Sequence, residues 1–334
     1  MFFPAFNLFA HHSFSATFNG DVITELEGVV TEVRWRNPHI TFELKTMGSN
    51  GEELFWDMES HSLSIMRRMD LAEPIIGVGD NVRVAGNPAH RDDLRAVFVQ
   101  NILLPSGEEW VFGFGANPTA LRWSDRLVGT NDKWFATEGE VFEPEKGIFR
   151  VWSTALSSGG GSLRNRSYPL TESAQAAVAR FDPAGGSILA NCAPKGMPYL
   201  MTQPYPMEFV EQTDRVLLRI EEYDSVRTIY MADALPAEEP PPSLLGYSVG
   251  HWENDTLVVH TSRVSYPHFN ESGVPQSEAA EFVEYITASD DASRLDYKIV
   301  VTDPNTFSEP VVLQKSWVWL SGVSVEPYNC LVSD

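Results

Sequence analysis

The sequence has too few cysteines for a cysteine-based metal or redox centre. Its 334 residues include two, Cys192 and Cys330, too far apart for a CxxC pair or a cysteine-ligated zinc site. Cationic side chains are scarce as well: 24 Lys and Arg against 46 Asp and Glu leave a net charge of -22. Such a polyanion repels nucleic acid and anionic membrane surfaces, so neither is expected as a partner. No stretch approaches the ~20 apolar residues of a membrane-spanning helix, so no integral membrane segment is expected. Also missing are a Gly-x-Ser-x-Gly elbow, a Walker loop, a His-Glu-x-x-His helix and a dinucleotide fingerprint. Gly159 to Gly161 lacks the lysine and the strand–helix context of a phosphate loop, and reads as a linker.

What is present suffices for packed cores. Hydrophobic residues make up 43% and aromatics 11%, which argues against general disorder, and the length accommodates two domains. The first ten residues, MFFPAFNLFA, are almost wholly apolar. They read as the end of a secretory signal, with Leu8-x-Ala10 as the cleavage site, or as an apolar N-terminal strand or tail. In an exported chain Cys192 and Cys330 would pair as a disulfide bracketing the second domain; the alternative is two buried thiols. Sequons at Asn165, Asn254 and Asn270 matter only in a eukaryotic secretory pathway.

Residues 24–104 read as three strands, a short helix over Ser62 to Met69, and two more strands. That is the order of an OB-fold, a small closed or nearly closed barrel. Residues 113–190 read as a connector, with a weak strand at Gly147 to Ser153 and a helix from Thr171, its N-cap, to Arg180. From Met207 onward the pattern is a succession of short strands and turns. Its centre is Gly246 to Thr261, two strands about a tight Glu253-Asn254-Asp255 turn. About eight strands in hairpin order predict an antiparallel, lipocalin-like (calycin-type) barrel, with a two-sheet sandwich as the alternative. The fold class is therefore all-β. The domains are expected at 11–112 (OB-like) and 191–334 (barrel), after an N-terminal segment 1–10 and around the connector 113–190.

Two parts of the sequence carry a resemblance. Ala10-His11-His12-Ser13-Phe14, followed by GVVTEVRWRNPH over Gly28 to His39, resembles the DUF6152 family, small exported bacterial proteins of unknown function, across about residues 10–112. Phe181 to Pro183, Asn191 to Pro198, Pro204 to Pro206, Gly246 to Val259 and Pro275 to Glu278 resemble uncharacterised secreted proteins of Gram-negative bacteria. Those carry His more often where this chain has Tyr247 and Gln276. The resemblances imply a periplasmic or secreted location and a β architecture; they imply no activity.

Two candidate sites follow. Cleavage after Ala10 would leave His11 as the mature N-terminus, whose amine and imidazole suit copper, with His12 or His39 completing the set; the alternative is an exposed leader and a strand-end histidine. In the C-terminal barrel, Arg227, Asp233, Tyr247, His251, His260, Glu278 and Trp317 lie on or beside strands, where alternation would turn several toward one pocket. The alternative is surface loop residues and core aromatics. Glu221-Glu222 and Asp290-Asp291 read as solvated charge, and Pro194 to Pro206 as a strap across the barrel or a lid. The leading expectation is an exported protein binding a small, largely apolar molecule in the C-terminal barrel. The competing readings are a copper oxidoreductase or a cofactor-free isomerase, cyclase or hydrolase, and a structural protein that self-assembles as a homo-oligomer.

Overall fold

Strand β1 (Thr24–Arg34) is long enough to serve two partners. In the computed structural model its second half pairs antiparallel with β2 (Thr41–Met47) and its first half with β4 (Asn81–Pro88). Gly28 stands just before the changeover. A Cβ there would lie 2.2 Å from the Lys45 carbonyl oxygen, so the close strand approach requires glycine. The structure describes residues 14–68, 71–91, 93–112, 121–128, 143–154, 167–181, 192–319 and 322–330. The apolar segment 1–10, His11 and His12 lie outside the described residues. The chain divides into two units: 1–131 with 183–193 and 329–334, and 132–182 with 194–328.

In the first unit, β3 (Glu53–Glu59) pairs with β2, α2 (Leu63–Arg68) follows, and β5 (Ala96–Leu103) pairs with β4. A parallel contact of β3 with β5 then closes the five strands into a barrel, the OB-like arrangement expected from the strand–helix–strand order. Val30, Leu44, Met58, Val84 and Val97 fill it, and Met66 of α2 is wholly buried. The short helix α1 (Phe14–Thr17) leads into Phe18, whose ring lies 5.6 Å from that of Phe98. Two short strands, β6 (Glu109–Val111) and β7 (Leu127–Val128), extend the sheet beyond β5.

The second unit is one nine-stranded sheet in chain order: β8 (Val151–Trp152), β9 (Met207–Glu211), β10 (Arg215–Ile220), β11 (Ser225–Met231), β12 (Tyr247–Glu253), β13 (Thr256–Ser262), β14 (Glu281–Ala288), β15 (Arg294–Thr302) and β16 (Val311–Val318). Its edges meet through paired hydrogen bonds between Ser153 and Val318, at 2.9 and 2.8 Å, so the barrel is nearly closed. The expected connector 113–190 contributes both β8 and α3 (Glu172–Arg180) to this unit, which therefore begins before residue 191. Two residues of strand are too short to show a period of two in sequence. Thr171 caps α3 as expected, its hydroxyl accepting from the Ala174 N–H at 3.3 Å. The central hairpin also forms as read, turning at Asn254, whose φ is 54°.

One step departs from hairpin order. β11 and β12 run parallel, from Ile229↔Ser248 to Met231↔Gly250. The intervening 232–246 contains Pro236, Pro240, Pro241 and Pro242, which lack the N–H that a ladder strand needs, so the segment crosses over instead of pairing. Counting from β9, strand starts and ends place residues 207, 220–225, 247, 262, 281, 302 and 311 at one end of the barrel. The strap Pro194 to Pro206 belongs to that end. Met197, Tyr199, Leu200 and Met201 are buried, and Lys315 Nζ, from inside the barrel wall, donates to the carbonyls of Met201, Thr202 and Gln203 at 3.3, 3.3 and 3.0 Å.

Cys192 and Cys330 form a disulfide across a sequence separation of 138, closing a covalent loop that holds most of the second unit. Replacing both cysteines by serine is expected to lower the unfolding free energy by about 5 kcal/mol on the chain-entropy model. Urea denaturation of the full chain measures it, and an unchanged midpoint would show that loop closure contributes nothing.

Candidate functional site

Strand alternation decides which of the sequence candidates meet. On β11, Arg227 and Ile229 point into the barrel while Val226 is half exposed on the other side. Arg227 is 1% exposed and surrounded by inward residues of four other strands. Its Nε donates to Ser248 Oγ at 3.0 Å, one terminal nitrogen to Glu284 Oε1 at 2.9 Å, and the other to Thr261 Oγ1 at 2.7 Å and to Glu284 Oε2. Tyr297 donates its hydroxyl to Glu284 Oε1 at 2.7 Å, and Thr261 its hydroxyl to Glu284 Oε2 at 3.2 Å. Both Glu284 oxygens are therefore satisfied, as a buried carboxylate requires. Burial alone would lower the Arg227 pKa; the facing Glu284 carboxylate more than offsets this and raises it. Burial, followed by the same carboxylate, lifts the Tyr297 phenol well above its ordinary value. Trp317 lies in this interior too, its ring 5.3 Å from that of Tyr297 and edge-on to it.

The other candidates face elsewhere. Ser248 and Thr261 point inward, so their chain neighbours Tyr247 and His260 point outward. Tyr247 packs against Tyr230 at 5.7 Å on the outer face. His260 is exposed, with Nε2 3.8 Å from Glu281, and His251 is exposed beside Glu253 at 3.1 Å. Asp233 is exposed in the crossover 232–246, and Glu278 is exposed ahead of β14. The structure thus brings Arg227 and Trp317 to one interior layer and leaves Asp233, Tyr247, His260 and Glu278 outside it. The interior partners Ser248, Thr261, Glu284 and Tyr297 were missed. Their signal was a polar residue at an inward register position, which becomes readable only once the strand pairing is known.

A second buried polar group lies at the strapped end. Glu221 and Glu222, expected as solvated charge, are 2% and 0% exposed. They sit in a tight 3-10 turn between β10 and β11, and the strap packs on that turn. Lys195 of the strap contacts Glu222 Oε1 and donates to Gln203 Oε1 at 2.7 Å. Burial raises the Glu222 pKa against the opposing pull of Lys195 and Lys315. Tyr266 follows the same pattern: burial and the Glu222 charge raise it. Asp290 and Asp291 remain on the surface as read.

In the first unit, His39 Nδ1 lies 3.0 Å from the Ser60 carbonyl and 3.3 Å from Glu59 Oε1. His61 Nε2 donates to the Phe112 carbonyl at 3.0 Å, and its ring packs edge-on to Phe98. Loss of hydration pushes the His61 imidazole down to about 3. Among the described residues no group of three or more His, Cys, Asp or Glu could hold a metal ion. His11 and His12, the other copper candidates, are outside those residues.

The second unit also carries a surface crevice of about 290 Å³ at the strapped end, where β13 ends and β14 begins. Pro242, Val264, Ala279 and Ala280 form its apolar lining, and Arg263 and Glu278 are among its polar residues. Val264 and Ala280 are each 1% exposed, so they anchor the crevice floor in the core.

Glu284→Gln would leave the Arg227 charge without its counter-ion, at an expected cost of about 3–5 kcal/mol. The double substitution Arg227→Met with Glu284→Leu should cost much less, because no buried charge remains. Urea denaturation compares them; equal losses in both would show that packing volume, not charge pairing, sets the cost.

Residues 3–97 match the model of a family described as a family of unknown function, DUF6152, which covers most of the first unit and none of the nine-stranded barrel. No curated protein and no solved structure matches the chain.

Proposed function

We propose that this protein is an exported binding protein that takes up a small, largely apolar molecule on its second unit, at the crevice on the barrel end. The observation that carries this reading is the crevice itself: about 290 Å³ with Pro242, Val264, Ala279 and Ala280 along it. That volume lies just below the ~300–1,000 Å³ typical of ligand pockets, which restricts the ligand to a small molecule of about one ring. The barrel lumen, where the sequence pointed, supports the reading less well. Arg227, Glu284 and Tyr297 fill it with mutually bonded side chains and Trp317 packs edge-on to Tyr297, which favours the rim over the lumen. Glu278 is the candidate that belongs to the crevice. Tyr247 and His260 flank it on the outer face: Tyr247 is the register partner of Ser262, which also lines it.

Export is supported by the Cys192–Cys330 disulfide, since disulfides persist in oxidising compartments such as the periplasm or the extracellular space. Among the described residues no helix is long and apolar enough to cross a membrane.

Saturation-transfer NMR of the full chain with benzyl alcohol, a small neutral aromatic, tests the site. Binding is expected, and Ala279→Trp, a change at an exposed lining residue, is expected to abolish it by filling the crevice. Absence of binding, or binding indifferent to Ala279→Trp, would overturn the assignment.

A further inference from the structure

The charges around the crevice restrict what its apolar lining accepts. Arg263 is the one cation among the described lining residues; its NH1 pairs with Glu239 Oε2 at 2.8 Å at the surface, while its buried Nε makes no hydrogen bond among the described residues. Two further carboxylates border the same space, Glu278 and Glu281. Glu278 has no cationic partner among the described residues. Glu281 has only the distant contact with His260, at 3.8 Å, and its side chain is 59% exposed. Counting Arg263 against Glu239 leaves Glu278 without a cationic partner among the described residues and Glu281 with only His260 beside it, both bordering the apolar lining, on a chain whose net charge is -22. An anionic ligand would meet repulsion there, and a neutral one would leave the field unused.

We infer that the ligand of this crevice is an organic cation, an apolar body bearing an ammonium or quaternary ammonium head; the inference rests on the crevice being the binding site. The apolar body lies along Val264, Ala279 and Ala280, which removes its surface from water. The head stays at the rim between Glu278 and Glu281, where a charge keeps much of its hydration and gains Coulomb attraction. Specificity then comes from the pair of carboxylates, and affinity from the floor.

Three probes that share one ring and differ in charge separate the terms: benzyltrimethylammonium, benzyl alcohol and phenylacetate, titrated into the full chain by saturation-transfer NMR. The cation is expected to bind about tenfold more tightly than the alcohol, phenylacetate most weakly, and the advantage should shrink as salt is raised. Glu278→Gln combined with Glu281→Gln, both at exposed positions, should bring the affinity for the cation down to that for benzyl alcohol in the same variant. Equal binding of cation and alcohol, both lost in Ala279→Trp, would overturn the charge inference and leave the crevice standing. Tighter binding of the cation that survives the double carboxamide variant would also overturn it, by placing the cation elsewhere on the acidic surface. If none of the probes binds, the crevice reading falls and the inference with it.

Discussion

A charge inside a β-barrel has to be matched there, and the Arg227–Glu284 pair is the constraint on which the second unit depends. Five strands contribute to the match: Arg227 from β11, Ser248 from β12, Thr261 from β13, Glu284 from β14 and Tyr297 from β15. A one-residue slip in any of these pairings would turn a polar partner to the outside and strand the rest. The pair therefore specifies register as much as it stabilises, since a buried ion pair gains little over an apolar core of equal volume. A lumen filled with a bonded polar layer and with Trp317 is a core, which is why the proposed binding site is sought at the rim.

The strapped end repeats this logic with a second buried pair. Lys195 reaches Glu222 and Gln203, while Lys315 holds three strap carbonyls. The disulfide fixes the chain three residues before Lys195 and two residues after Tyr328, whose ring packs 4.9 Å from that of Tyr223. That end is therefore held by charge and by aromatic packing. The crevice lies on this end, between the crossover Pro242 and the start of β14. A site on a fixed frame keeps its shape without a ligand, which lowers the ordering cost of binding.

Much of this was legible in the sequence. The OB-like order emerged because strong turn signals separate its strands. The Thr171 cap and the Asn254 turn were readable because each depends on a side chain acting on its own backbone. The Cys192–Cys330 pairing emerged from there being only two cysteines. What was not legible depends on partners distant in sequence. Glu221 and Glu222 looked solvated because adjacent carboxylates between two strands usually are; a lysine 27 residues away from Glu222 makes one of them core. The two-residue β8 is a product of barrel closure, without a local signature, and the prolines of 232–246 mark a break in the ladder without showing that β12 returns parallel to β11. Tyr247 and His260 were grouped with Arg227 because all lie on strands, but alternation places them on opposite faces.

The central claim is that the second unit binds at its rim and not in its lumen. Its most direct measurement is a crystal structure of the protein soaked with a brominated benzyl alcohol, in which the bromine marks the site by anomalous scattering. The account predicts a peak in the crevice, beside Val264 and Ala280. A peak inside the barrel, against Trp317 or Tyr297, would contradict it.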